Sequence, residues 1–316
     1  MTRDIDVVTL GETMALIKAN ATGSLAHQSA LGLSVGGAES NCAIALRRLG
    51  TSVTWIGRVG ADSLGERVLR ELRAEGVVVH GIIDPIAPTG LMIKERRTAD
   101  SIKVVYYRSG SAGSRLSPSD VDTVAISSAK ILHVTGITAG LSASAADAVD
   151  FAVSCAKEAG TLVSFDYNYR SALWAPPAAA AAFRRLTEQA DLVFAGDDEA
   201  ALVVGPGTPR DQASALAELG PRHAVIKLGA RGSVALIHGE YFEQPAIPVR
   251  AVDTVGAGDA FVAGYLSDLL RGVTPEERLL TAATVGAFAC TVEGDWEGNP
   301  VRDELGLLHA VENVRR

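Results

Sequence analysis

The sequence has 316 residues, 47% of them hydrophobic and 21% charged, with a formal net charge of −8; that is ample for a sizeable core and excludes a disordered chain. The acidic balance speaks against nucleic acid or an anionic membrane as partner, so any anionic ligand has to be met by local positive charge. The N-terminal stretch lacks a signal-peptide apolar region and no apolar run reaches membrane-spanning length, which predicts a soluble, cytoplasmic protein. Cys42, Cys155 and Cys290 show no C-x-x-C spacing and read as buried thiols, and the six histidines show no metal-ligand spacing.

In chain order, Ile5 to Leu10 reads as a buried strand ending in Gly11. Met14 to Lys18 and Leu31 to Val35 read as short strands, and Gly36-Gly37 breaks the pattern. From Ala38 the period becomes helical, with Ala43, Ile44, Leu46 and Leu49 on one side and Gly50 as a stop. Val53 to Val59 is the next strand, and Asp62 or Ser63 caps a helix that ends at Gly76. Thr89 to Arg96 and Ile102 to Arg108, joined by the polar turn Arg97 to Ser101, predict a hairpin.

From Pro118 onward helices and strands alternate. Helices are expected at Ser119 to Ile126, Ala143 to Ala159, Ala178 to Thr187, from Asp197 and at Asp211 to Leu219. Strands are expected at Ile131 to Val134, Leu162 to Phe165, Leu192 to Phe194 and Ala224 to Leu228, with a meander through Ser233 to Ile237 and Tyr241 to Phe242. This repeat predicts an α/β fold whose parallel sheet is covered on both faces, with ligands at the carboxyl ends of its strands.

The most informative stretch is Val252 to Leu266. Gly256, Ala257 and Gly258 are three small residues in a row where an apolar helical run takes over. A loop feeding a helix N-terminus leaves backbone N–H groups unpartnered and adds the positive end of the dipole, so it cradles an anion. Asp259 in the first turn could merely complement that dipole. It could also serve as the base for an attacking hydroxyl, and a carboxylate beside an anion cradle is what phosphoryl transfer needs.

All seven specified positions of the pattern Asp-Thr-x-Gly-Ala-Gly-Asp-x-Phe match Asp253 to Phe261. This segment resembles the C-terminal signature of the PfkB, or ribokinase-like, sugar kinases, and Gly36 to Gly50 with Gly57 to Gly65 resembles their N-terminal one. The resemblance implies a three-layer α/β/α kinase domain over residues 1–316, with a mostly parallel central sheet and a small β lid from about residues 12–35 and 88–110. It implies Asp259 as general base and the backbone of Gly256, Ala257 and Gly258 as anion hole. Gly36, Gly37 and Asn41 would line the sugar site; the alternative for Asn41 is a polar helix residue bonding its own backbone. Lys227, Gly229 and Gly232 would lie beside the ATP, although such a glycine pair is often only a turn; Asn168 joins them on the nucleotide side. Glu199 matches the family's Asn-x-x-Glu motif for magnesium and phosphate, but Gly196 replaces the asparagine. A monovalent cation such as potassium is expected near Asp253, and a homodimer or higher oligomer through the lid.

Within the family the chain is similar to 2-keto-3-deoxygluconate kinases. In that subfamily a lid tyrosine and arginine and the arginine of D-x-N-x-R hold the sugar-acid carboxylate, and the matching positions are Tyr106, Arg108 and Arg170, with Ile137 along the sugar. Arginine's planar fork suits a carboxylate, but a lone arginine is usually a surface ion pair. Met92 stands where some members place a tyrosine on the sugar. The implied reaction is ATP-dependent phosphorylation of the 6-hydroxyl of 2-keto-3-deoxy-D-gluconate. A fructokinase, a nucleoside kinase or a catalytically silent sugar sensor on the same fold are the alternatives.

Overall fold

A computed structural model describes residues 3–98 and 101–309. The chain begins with β1 (Ile5–Leu10), β2 (Met14–Ala19), β3 (Leu31–Gly36), α1 (Ala38–Arg48), β4 (Val53–Gly60), α2 (Ser63–Ala74) and β5 (Val78–Asp84). β6 (Leu91–Thr98) and β7 (Ser101–Tyr107) precede α3 (Thr123–Ser127), β8 (Ala129–Thr135), the single turn α4 (Gly136–Ala139), α5 (Ala143–Ala159), β9 (Leu162–Asp166), α6 (Pro176–Thr187) and β10 (Leu192–Gly196). Then come α7 (Asp197–Val204), α8 (Pro209–Ala217), β11 (His223–Lys227), β12 (Ser233–Ile237), β13 (Glu240–Gln244), α9 (Ala257–Arg271) and α10 (Pro275–Ala289).

Two sheets result. The larger has nine strands in the order β13-β12-β11-β10-β9-β8-β1-β4-β5, and only β12 and β13 run antiparallel to their neighbours. Its strands are continuous apolar runs because both faces are covered. On β1, Val7 packs with Trp55, Ile44 and Leu266 on one side, while Val8 packs with Leu132, Val149 and Phe165 on the other. Each such fully buried side chain contributes about 1.5–3 kcal/mol. Three layers therefore hold the fold, with α1, α2 and α9 on one face and α5, α6 and α8 on the other. The smaller sheet, β3-β2-β6-β7, stands outside these layers as the expected lid.

Local signals explain the boundaries. Asp62 accepts a hydrogen bond from the Gly65 N–H at 2.7 Å and so caps α2, while also accepting from the Thr89 backbone at 2.8 Å where the lid begins. Ser142 caps α5 and left-handed Gly160 ends it. The helix expected at Ser119 to Ile126 is split into a 3-10 turn at Pro118–Asp120 and α3, because the Asp122 side chain caps a new start at Ala125. β5 and α10 are not foreseen in the sequence: His80-Gly81 interrupts the apolar run of one, and α10 reads as an uncapped apolar stretch until Thr274 is seen bonding the Glu277 N–H. Residues 99 and 100 of the turn expected at Arg97 to Ser101 lie outside the described residues.

Chain order reverses at β1, which has β8 on one side and β4 on the other. The carboxyl ends of β1, β8, β9, β10 and β11 therefore open onto a crevice at the switch point.

Candidate active site

α9 enters the crevice through Gly256, whose φ of 79° is left-handed. A Cβ there would lie 1.9 Å from the Asp295 carbonyl oxygen, so only glycine fits. The first-turn N–H groups point out of the helix; that of Ala257 reaches the Thr254 carbonyl only at 3.4 Å. Asp259, 8% exposed, follows in the same turn.

Two amides hold its carboxylate. Asn41 Nδ2 on α1 donates to Oδ2 at 2.9 Å, and Asn168 Nδ2 after β9 donates to Oδ1 at 3.0 Å. Asn168 has a φ of 42°, a conformation Asn tolerates better than most side chains. Both residues are thus partners of Asp259, a contact that the expected nucleotide-side role of Asn168 does not include. Burial pushes the Asp259 carboxyl up to about 7; the charge of Asp166 adds to this, while the Asn41 bond and the charges of Arg170 and Lys227 oppose it.

Lys227 at the end of β11 donates to Asp166 Oδ1 at 2.6 Å and stands within 3.7 Å of where a Gly258 Cβ would be. Burial alone would lower its pKa, but Asp166, Glu199 and Asp259 together raise it, so the ammonium stays charged. Lys227, Gly229, Gly232, Ala257 and Gly258 line a cavity of about 620 Å³ whose remaining wall is mostly small and apolar. That volume and lining suit a nucleotide. Cys290 lines it too and is half-buried, as is Cys155, whereas Cys42 is the fully buried thiol.

Glu199, the residue expected on the magnesium side, is held by backbone. Its Oε1 accepts the Tyr169 N–H and its Oε2 the Gly196 N–H, both at 2.7 Å. The carboxylate is committed to backbone, capping α7 and clamping the segment that carries Asn168. Among the described residues no group of three or more His, Cys, Asp or Glu side chains could hold a metal ion. The donor set therefore fits magnesium only as an ion that arrives with the nucleotide phosphates and keeps its waters.

At the other end, Gly36 and Gly37 turn into α1. A Cβ on Gly36 would lie 2.5 Å from Met92 Cε and one on Gly37 2.3 Å from the Glu12 carbonyl, so Met92 borders this turn directly. Ile137 in α4 is 8% exposed. Arg108 is not free: Nε and Nη2 both meet Glu12 Oε2, at 2.8 and 2.6 Å, and Ser111 donates to the other oxygen. Its guanidinium also lies 5.6 Å from the centre of the Tyr106 ring. Arg170 is exposed and donates to the Tyr169 carbonyl. Asp253, where the resemblance expects a monovalent cation, receives Lys94 Nζ on its Oδ2 at 2.5 Å. The sequence reading assigns no role to Glu12, Lys94, Asp166 or Asp295; each is found through a partner that the fold brings to it.

The site joins a helix N-terminus, a buried carboxylate and a nucleotide-sized cavity, and sequence comparison decides the rest. The pattern described as pfkB family carbohydrate kinase matches residues 4–302. This chain belongs to that family. Among its relatives, the 2-dehydro-3-deoxygluconokinase of Bacillus subtilis is 36% identical, over 98% of this chain and 97% of that protein. The one of Thermoproteus tenax is 38% identical, over 97% and 95%. The solved structure of a putative ribokinase II from E. coli, in complex with ATP and Mg2+, superposes with a TM-score of 0.89 at 26% identity, covering 96% of this chain and 99% of that one. A double mutant of the Vibrio cholerae fructokinase, solved in fructose-, ADP- and potassium-ion-bound form, superposes with a TM-score of 0.83 at 26% identity, covering 96% and 98%. The fold of this PfkB chain is ribokinase-like.

Proposed function

We propose that this PfkB chain transfers the γ-phosphoryl group of ATP to the 6-hydroxyl of 2-keto-3-deoxy-D-gluconate, giving 2-keto-3-deoxy-6-phosphogluconate and ADP. The observation that carries this reading is Asp259: a buried carboxylate, oriented by two amides at the mouth of a helix, with a pKa raised to about 7. Asp259 takes the hydroxyl proton as the oxygen bonds to phosphorus and the bond to the ADP oxygen breaks. The backbone of Gly256, Ala257 and Gly258 and the Lys227 ammonium receive the charge that develops on the transferred group. Lys227, Gly229, Gly232 and Asn168 flank the nucleotide, and magnesium would travel on its phosphates with Glu199 acting only through the loop it clamps.

The sugar acid lies between Gly36, Gly37, Asn41 and Ile137, under the lid. With Nε and Nη2 of Arg108 turned to Glu12, its Nη1 and the exposed Arg170 are the groups that meet the carboxylate, alongside Tyr106. The two gluconokinase relatives support an acid over a neutral sugar. We read the chain as one kinase domain with its lid, working in the cytoplasm where ATP is, and dimerising through the lid. No described helix is long and apolar enough to cross a membrane.

The test is a coupled ADP-release assay over 2-keto-3-deoxygluconate, 2-keto-3-deoxygalactonate, 2-ketogluconate, fructose and ribose. The expected result is the highest kcat/KM for 2-keto-3-deoxygluconate. Faster turnover of fructose than of any acid would replace this reading with a fructokinase, and no transfer to any of them would make the chain a sugar sensor.

A further inference from the structure

Lys94 projects from the lid strand β6 into the base of the anion hole. Its Nζ is 2.5 Å from Asp253 Oδ2 and 3.0 Å from Asp295 Oδ1, and the three side chains are 7%, 3% and 6% exposed. Burial by itself would lower the lysine pKa, but the two carboxylates raise it, so the ammonium is charged at neutral pH. Both acids border the phosphoryl end. Asp253 accepts the Val255 N–H at 3.1 Å and the Gly294 N–H at 3.2 Å, fixing the turn that leads to Gly256. The Asp295 carbonyl is the atom against which Gly256 packs.

Asp253 is where the family resemblance expects potassium, and the donors do not fit a second cation. An added ion would sit on a carboxylate that already holds an ammonium, and like charges a few ångströms apart repel.

We infer that Lys94 is a built-in monovalent cation: its ammonium, supplied by the lid, holds Asp253 and Asp295 in place and thereby positions the anion hole, so that this kinase works without potassium. Lys94 touches neither substrate nor phosphate in this role and is a positioning residue. Two buried carboxylates beside the hole would otherwise oppose the charge that it must receive, and the ammonium offsets them while remaining covalently tied. The inference rests on the phosphotransfer reading above but not on the identity of the sugar.

The protein purified without potassium or ammonium, in tetramethylammonium salts, is compared with and without added KCl. Parent kcat/KM for ATP is expected to change by less than about twofold. Lys94→Ala opens the space and is expected to lose up to about 100-fold, the cost of misplacing catalytic groups by about 1 Å, and to recover most of it with KCl or NH4Cl but not with tetramethylammonium chloride. ADP affinity measured by calorimetry, which needs no sugar, should show the same pattern, so a wrong choice of sugar is told apart from a wrong role for Lys94. A parent enzyme that potassium stimulates several-fold overturns the inference. So does a folded Lys94→Ala that is fully active without cation or inactive with it. If that variant does not fold, Lys94→Gln and the parent's own response to KCl decide in the same way.

Discussion

As the proposed base, Asp259 has to meet two demands that oppose each other. A base must be deprotonated to act, yet the burial that keeps water from the reaction disfavours its charge. The folded carboxyl titrates near 7 and an unfolded one near about 3.9, so between these values the folded state holds a proton that the unfolded state has lost. Stability therefore falls as pH rises through this window, and the penalty is complete above about 7. Asp259→Asn is expected to match the parent in stability near pH 4 and to exceed it at pH 8, by an amount on the order of a few kcal/mol, as read by thermal melts. Its kcat should drop about 10²–10⁴-fold. Parent kcat/KM should rise with pH to a plateau just above 7, and a profile flat from pH 5 to 8 would remove Asp259 as the titrating base. Most of this was legible: the small residues before an apolar helix and the carboxylate in its first turn point to the chemistry. The pKa was not, because the amides that flank Asp259 come from residues 218 and 91 positions away.

At the scale of elements, the junction of β9, α7 and α9 shows what holds Glu199. Glu199 spends both oxygens on backbone N–H groups, one at the start of α7 and one beside Asn168. Its substitution should therefore act on loop geometry and not on metal. Glu199→Ala is expected to lower stability by about 1–3 kcal/mol, the cost of leaving buried donors unmet, and to lower kcat through Asn168, while the magnesium concentration giving half-maximal rate stays unchanged. A large rise in that concentration at constant stability would restore the metal role. The parallel strands were readable because burial on both faces leaves a continuous apolar run, as in Leu192 to Ala195. β5 and the 3-10 turn before α3 were not, because capping by Asp122 and a glycine within the strand override local preference. The pairing of Arg108 with Glu12 spans 96 residues and no local pattern announces it.

For the whole molecule, the lid sheet has two unpaired edges, β3 and β7. They carry exposed apolar side chains, Leu31 and Leu33 on the first and Tyr106 and Tyr107 on the second. Such edges invite pairing with a second copy. The proposed dimer through these edges predicts that Leu33→Asp shifts the mass in light scattering from dimer to monomer, with a melting temperature within a few degrees of the parent; a parent that is itself a monomer, or an unchanged dimer mass in the variant, would remove the lid interface.

The lid also meets the segment after α10 through a row of opposite charges. Lys18 on β2 pairs with Glu297, Lys94 on β6 with Asp295, and Arg96 on β6 with Glu293. Anyone who transplants a lid from another sugar kinase to change the substrate inherits a matching problem, because three cations on the donor lid must fall in step with three acids on the recipient. A chimera that keeps the recipient's 293–297 segment but loses Lys94 would carry unpaired acids beside the Gly256 turn. The lid and that segment are therefore best exchanged together, as one cassette.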